Sequence, residues 1–151
     1  MNATDTPGHL ARRFHQIAVA IFHAEAEAAG FDLTPVQYAA LAKIADEPGL
    51  DQATLAGLIA QDRTTMGGVV DRLVEKALVA RDISKKDRRA RELRLTEAGK
   101  RTLKQIAPAV AETQRVLLSG LTEKEAAQLM QLLGKAIETL NDLSRAPLRG
   151  P

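Results

Sequence analysis

Between Arg81 and Arg94 the chain carries seven Lys/Arg and three Asp/Glu, and this short stretch holds its densest potential chemistry. Guanidinium and ammonium groups gathered on an exposed loop do not form a nucleophile–base pair; they bind phosphates. Asp87-Arg88-Arg89 crowns the loop. Arg88 or Arg89 is placed to reach a minor groove, whose negative potential favours Arg, with Asp87 orienting a neighbouring guanidinium. Lys85, Lys86 and Arg91 are candidate phosphate contacts, adding affinity but little sequence information. A second group precedes them on a helix expected over 63–77. There Thr64, Thr65, Gly68 and Arg72 face away from the apolar stripe Met66, Val70, Leu73 and Ala77. Hydroxyls and Arg address base edges in a major groove. Arg63, at the first turn, stands where a helix N-terminus favours an anion. Gly67-Gly68 is costly inside a helix. It implies either close approach of DNA or crowding against a neighbouring helix.

The elements that must hold these residues can be read from periodicity and caps. Apolar positions Leu10, Phe14, Ile17, Ala18, Ile21 and Ala24 predict a helix over about 10–29, stopped at Gly30. Thr34-Pro35-Val36-Gln37 opens a second helix with a capping-box pattern, carrying Tyr38, Leu41 and Ile44 and ending before Glu47. Asp51 is expected to cap a short helix over 52–59 with Leu55, Leu58 and Ile59 on its buried side. Asp62 caps the next. Two short helices with a tight break at 60–62 make a helix-turn-helix. Strands follow at 79–83 and 92–95. Thr96 then caps a long helix to about Leu118, and Thr122 with Glu125 opens the last, which runs towards Leu143. The tail from Arg145 is expected to fray.

The reading is a mainly α fold with a small β wing, in one domain spanning 1–151. A winged helix-turn-helix lobe covers about 34–96. The flanking amphipathic helices, about 10–30 and 97–143, are N- and C-terminal dimerisation helices in excess of what a winged helix needs. A two-fold homodimer would set two recognition helices about one turn of DNA apart.

Charge distribution supports the same surface. Residues 1–61 hold three basic and seven acidic groups, 62–104 hold thirteen and seven, and 105–151 hold five of each. Positive charge is thus confined to the middle third. Aromatic residues make up only 3% and Trp is absent, which disfavours a single-strand binder built on stacking platforms. No Cys is present, so disulfides, thiolate metal sites and thiol redox sensing are excluded. Three His without metal-ligand spacing predict no metal and no cofactor. No apolar run approaches a membrane span, and the polar start predicts a cytoplasmic protein with no membrane partner. No catalytic constellation is visible, so an enzyme is not expected. The alternative is a winged-helix module for protein–protein contact without sequence-specific DNA binding.

The chain resembles the MarR family of winged-helix transcription regulators. The resemblance is carried by Leu33-Thr34-Pro35-Val36-Gln37-Tyr38, Leu55-Ala56, Thr64-Thr65-Met66 and Val70-Asp71-Arg72-Leu73. It continues in Asp87-Arg88-Arg89-Ala90, Leu93-Arg94-Leu95-Thr96 and Glu97-Ala98-Gly99. Where the family commonly has Gly after the recognition helix, this chain has Ala77. The resemblance implies a homodimer on a double-stranded, pseudo-palindromic operator, usually a repressor, released by a small and often anionic aromatic effector. It also implies that Thr64, Thr65 and Arg72 read the major groove and Arg89 the minor groove. The implied effector pocket lies between the dimer helices and the winged lobe. For an aromatic acid the candidate contacts are Arg12, His15, Tyr38 and Arg81.

Overall fold

In a computed structural model that describes residues 2–150, the element order is α1 (Pro7–Ala28), α2 (Pro35–Asp46), α3 (Gln52–Leu58), α4 (Arg63–Glu75), β1 (Val79–Ile83), β2 (Arg91–Leu95), α5 (Glu97–Leu117) and α6 (Glu123–Leu140). Short 3₁₀ turns precede α1 and follow α6. The chain divides into two compact units. One comprises the residues up to Pro35 with Ile106–Ala127, the other Val36–Gln105 with the residues from Gln128 onward.

In the first unit, α1 begins three residues earlier than its apolar periodicity predicts. Thr6 accepts the His9 N–H and Pro7 takes the first helical position, where its fixed φ and missing N–H cost nothing. Phe22, Ala26, Leu33, Ile106 and Ala109 are buried. The Thr113 hydroxyl, buried as well, donates to the Ala109 carbonyl at 2.9 Å. Glu112 and Arg115 pair through two hydrogen bonds of 2.7 and 2.8 Å. The bond from Arg115 holds the Glu112 carboxyl below its ordinary pKa. The capping box ahead of α6 closes reciprocally: Thr122 N–H donates to Glu125 Oε2 at 2.8 Å, and Glu125 N–H donates to Thr122 Oγ1 at 3.3 Å.

The second unit is the winged lobe. Its core is Leu41 and Ile44 of α2, Leu55 of α3, Met66, Val70 and Leu73 of α4, and Leu93 of β2, all with no exposed surface. On α3 the buried partner of Leu55 is Ala56; Leu58 and Ile59, predicted inward, are only half-buried because the helix ends at Leu58. The helix α4 stops two residues short of its predicted end. Lys76 caps it, and Ala77 turns exposed into the left-handed region at φ +57° instead of continuing the inward stripe. A glycine would take that conformation without the Cβ penalty. The strands pair antiparallel, Val79 with Leu95 through Ile83 with Arg91. The other edge of β2 is also occupied: Gly49 N–H donates to the Leu93 carbonyl at 3.0 Å, and Leu93 N–H donates to the Leu50 carbonyl at 2.9 Å. The wing is therefore hydrogen-bonded to the segment that leads into α3.

Its base is tied to α5 by Thr96, whose hydroxyl accepts the Gly99 N–H (3.0 Å) and donates to the Ala77 carbonyl (2.7 Å). A Cβ at position 99 would lie 2.1 Å from the Leu78 carbonyl oxygen, so only glycine permits this approach. Contrary to expectation, the tail from Arg145 to Gly150 is not frayed: it is hydrogen-bonded back onto α3 and onto the 3₁₀ turn that follows α6.

Candidate nucleic-acid interface

The placement of α4 begins with its cap. Asp62 accepts the Thr65 N–H and the Thr65 hydroxyl, each at 2.8 Å. These bonds hold its carboxyl below the ordinary aspartate value. Asp51 caps α3 in the same manner through Thr54, at 2.8 and 2.6 Å. Burial pushes the Asp51 carboxyl up, but the Thr54 hydroxyl and the backbone N–H bonds together outweigh it and leave it lowered. Both helices of the pair thus start at fixed points. With Met66, Val70 and Leu73 facing the core, the opposite side of α4 exposes Thr64, Thr65, Gly68 and Arg72. Arg72 is paired with Glu75 at 3.3 Å.

Gly68 resolves one of the two explanations for the glycine pair. A Cβ there would meet nothing within 4 Å, and one at Gly67 would make only an ordinary contact, 3.8 Å from Gln52 Nε2. Crowding within the winged unit therefore does not require either glycine. What remains is an exposed stretch of bare backbone on the polar face of α4.

The wing loop is held by Ser84, buried, whose hydroxyl oxygen accepts the Lys86 and Asp87 N–H groups at 3.2 and 3.3 Å. Asp87 Oδ1 accepts from both the backbone N–H and the Nε of Arg89, at 3.0 and 3.2 Å, as expected of an acid that orients its neighbour. Arg91 Nη1 donates to the carbonyls of Arg88 and Ala90 and has no acidic partner among the described residues. Lys85, Lys86, Arg88 and Arg63 likewise have no ion-pair partner among the described residues, and all four are exposed. An open cleft of about 620 Å³ lies between the two arms of the surface, with Gln52, Ala53 and Arg63 on one side and Asp87, Arg89 and Arg91 on the other.

Two features bear on sequence-predicted residues outside this surface. Arg81 of β1 donates to Asp71 of α4 at 2.7 Å and to Gln52 of α3 at 3.4 Å, so its guanidinium clamps the wing to both helices of the pair. Residue spacing gives no hint of that clamp, because Asp71 and Arg81 meet only once the turn at Ala77 is made. A second wing pair, Asp82 with Arg94, crosses the strands on one face. Arg12 lies exposed on α1, donating to Gln16 at 3.1 Å, with His9 3.5 Å away. His15 is exposed on the same helix, while Tyr38 is half-buried on α2. Arg12 and His15 belong to the first unit and Tyr38 to the second. Among the described residues there is no group of three His, Cys, Asp or Glu able to hold a metal, and no helix long and apolar enough to cross a membrane.

A helix-turn-helix with a basic two-stranded wing hydrogen-bonded to its flank defines a winged-helix transcriptional regulator. Residues 33–90 match the MarR family model. The chain is 30% identical over 138 residues to the HTH-type transcriptional repressor NicR of Pseudomonas putida, covering 91% of this chain and 86% of that protein. The PcaV transcriptional regulator of Streptomyces coelicolor, solved in complex with its natural ligand, superposes with a TM-score of 0.83 at 31% identity, over 91% of this chain and 96% of PcaV. BpsR of Bordetella bronchiseptica, whose DNA binding is regulated by 6-hydroxynicotinic acid, superposes equally well, TM-score 0.83, at 27% identity over 90% and 96% of the two chains. The chain belongs to the MarR family.

Proposed function

We propose that this protein is a homodimeric repressor that grips a pseudo-palindromic, double-stranded operator and is released by a small aromatic acid. The carrying observation is the face shared by α4 and the wing: Thr64, Thr65, Gly68 and Arg72 exposed opposite a fully buried stripe, beside the exposed cations Arg63, Lys85, Lys86, Arg88 and Arg91, which no acid neutralises among the described residues. In this reading Thr64, Thr65 and Arg72 address base edges. Arg89, held by Asp87, enters the flanking minor groove, where an oriented guanidinium loses little freedom on binding. Lys85, Lys86, Arg88 and Arg91 contact phosphates.

The lobe of about 34–96 does the binding, and the helices at about 10–30 and 97–143 do the pairing. The apolar side of α6 supports this. Met130, Leu132, Leu133, Ile137 and Leu140 are all exposed in a single chain, a patch that a second copy would bury. Such a protein works on chromosomal DNA, hence in the cytoplasm, and needs no catalytic group.

Release by an effector requires only that the ligand prefer a dimer whose two α4 helices are wrongly spaced for successive major grooves. BpsR, regulated by 6-hydroxynicotinic acid, supports a small aromatic acid as the class. Arg12, His15 and Tyr38 supply a cation, an imidazole and a phenol suited to such a molecule. Arg81 is better employed in the wing clamp. His15→Ala and Tyr38→Phe should each weaken ligand-induced release while leaving ligand-free operator binding intact; unchanged release in both removes this pocket.

The DNA reading is tested on the duplex flanking the protein's own gene. Arg89→Ala should weaken binding with little change in thermal stability, its guanidinium being exposed, and Arg72→Ala should relax sequence preference. Unchanged affinity and preference in both variants would leave the wing as a protein-docking surface.

A further inference from the structure

The end of the chain is folded onto the helix-turn-helix in a way that places another cation beside α4. After α6 the chain turns at Asn141–Leu143 and doubles back. Asn141 Nδ2 donates to the Leu148 carbonyl at 3.0 Å, and Leu148 N–H donates to Asn141 Oδ1 at 2.8 Å, so one side-chain amide closes the loop from both sides. Arg149 N–H then donates to the Gly57 carbonyl at 2.8 Å, an oxygen in the last turn of α3 that also accepts the Ala60 N–H at 3.3 Å. The seat is close: a Cβ at Gly57 would stand 3.1 Å from Arg149 Cβ. The Arg149 guanidinium is spent on Asp142, at 2.9 Å.

An open groove of about 400 Å³ results, with Gln61, Asp62 and Arg63 on one wall and Arg145 and Arg149 on the other. Its charges are unequal in availability. Asp62 is occupied by Thr65, and Arg149 is paired with Asp142. Arg63 and Arg145 are exposed, and neither has a hydrogen-bond or ion-pair partner among the described residues. Two unneutralised guanidinium groups thus line one groove, one of them on the first turn of α4, and a phosphate is the anion such groups favour.

We propose that the C-terminal tail is a third arm of the DNA interface, in which Arg145 joins Arg63 in holding a backbone phosphate at the α3–α4 turn. This rests on the DNA-binding reading above and extends it to a segment outside the winged helix. Because the contact is to the backbone, it contributes affinity and salt dependence without altering sequence preference. The latch matters as much as the charge, since an untethered tail would lose conformational freedom on binding.

Fluorescence-anisotropy titrations of the full chain with the duplex flanking its own gene, at a series of salt concentrations, test the proposal. Arg145→Ala should lower affinity and flatten the slope of log K against log salt by up to about 0.9 per protomer, the value of one phosphate, because Arg63 still faces that phosphate. Discrimination between specific and scrambled duplexes should not change. Asn141→Ala, which unlatches the tail without removing a charge, should weaken binding in the same direction. The Arg63→Ala, Arg145→Ala double variant should lose less than the sum of the singles, because the two share one phosphate. An Arg145→Ala protein with unaltered slope and affinity overturns the proposal. It is equally overturned if that variant keeps DNA binding but loses binding of inorganic phosphate alone, which would make the groove a free-anion site. A wild-type protein with no salt-sensitive duplex binding would instead defeat the DNA reading itself, and this arm with it.

Discussion

The helices α4 and α6 carry similar amphipathic patterns and meet opposite fates. In α4 the stripe Met66, Val70 and Leu73 is wholly buried. In α6 the corresponding stripe is open: Leu132 is 56% exposed, Ile137 59% and Leu140 56%. Periodicity says that a helix has an apolar side, not whose atoms will cover it. The winged lobe covers α4 from within and leaves its polar face exposed. Among the described residues none covers this side of α6, and in the proposed homodimer a second copy does.

The two helices should differ most under two substitutions. Leu73→Ala should destabilise the winged lobe by about 2–5 kcal/mol, the usual cost of deleting a fully buried leucine side chain, seen as an earlier urea midpoint. Ile137→Glu should leave helical content intact but split the homodimer, read by light scattering coupled to size exclusion. A dimeric Ile137→Glu protein would remove α6 from the interface and end the contrast. A smaller and opposite pair of effects is expected at Gly68. Alanine there meets open space, so Gly68→Ala should stabilise α4 by about 0.5–1 kcal/mol while weakening operator binding. If stability rises and affinity does not fall, the bare backbone of α4 has no partner. Smallest is the turn that sets the wing against α4. Ala77→Gly, at φ +57°, should gain up to about 1 kcal/mol in thermal melts without altering DNA affinity.

Much of the architecture is legible in the chain because it is fixed by local chemistry. Asp51, Asp62, Thr96 and the Thr122–Glu125 pair mark helix starts through hydrogen bonds spanning three residues, and the first wing strand, Val79–Ile83, stands where its sequence predicts. The early start of α1 is legible too, in Thr6-Pro7, a cap followed by proline, although apolar spacing alone misses it. What stays hidden is long-range. Nothing in Arg81 announces that it reaches Asp71, ten residues away across a left-handed turn. Nor does the polar, proline-containing tail announce that it is latched to Gly57. Apolar spacing overruns the true ends of α3 and α4 because Leu58, Ile59 and Ala77 continue a pattern that the backbone leaves. Arg12, His15 and Tyr38, proposed for the effector, stand on separate helices and leave no spacing to read, whereas the basic wing, a single contiguous loop, declares itself.

The most direct test of the central claim is the salt dependence of binding to the duplex flanking the protein's own gene, measured against a scrambled duplex of equal length. Tight, sequence-dependent binding by a dimer is expected, with log K falling steeply and linearly in log salt as cations compete for the several phosphates that the protein neutralises. Equal binding to both duplexes, or none to either at physiological salt, would contradict it.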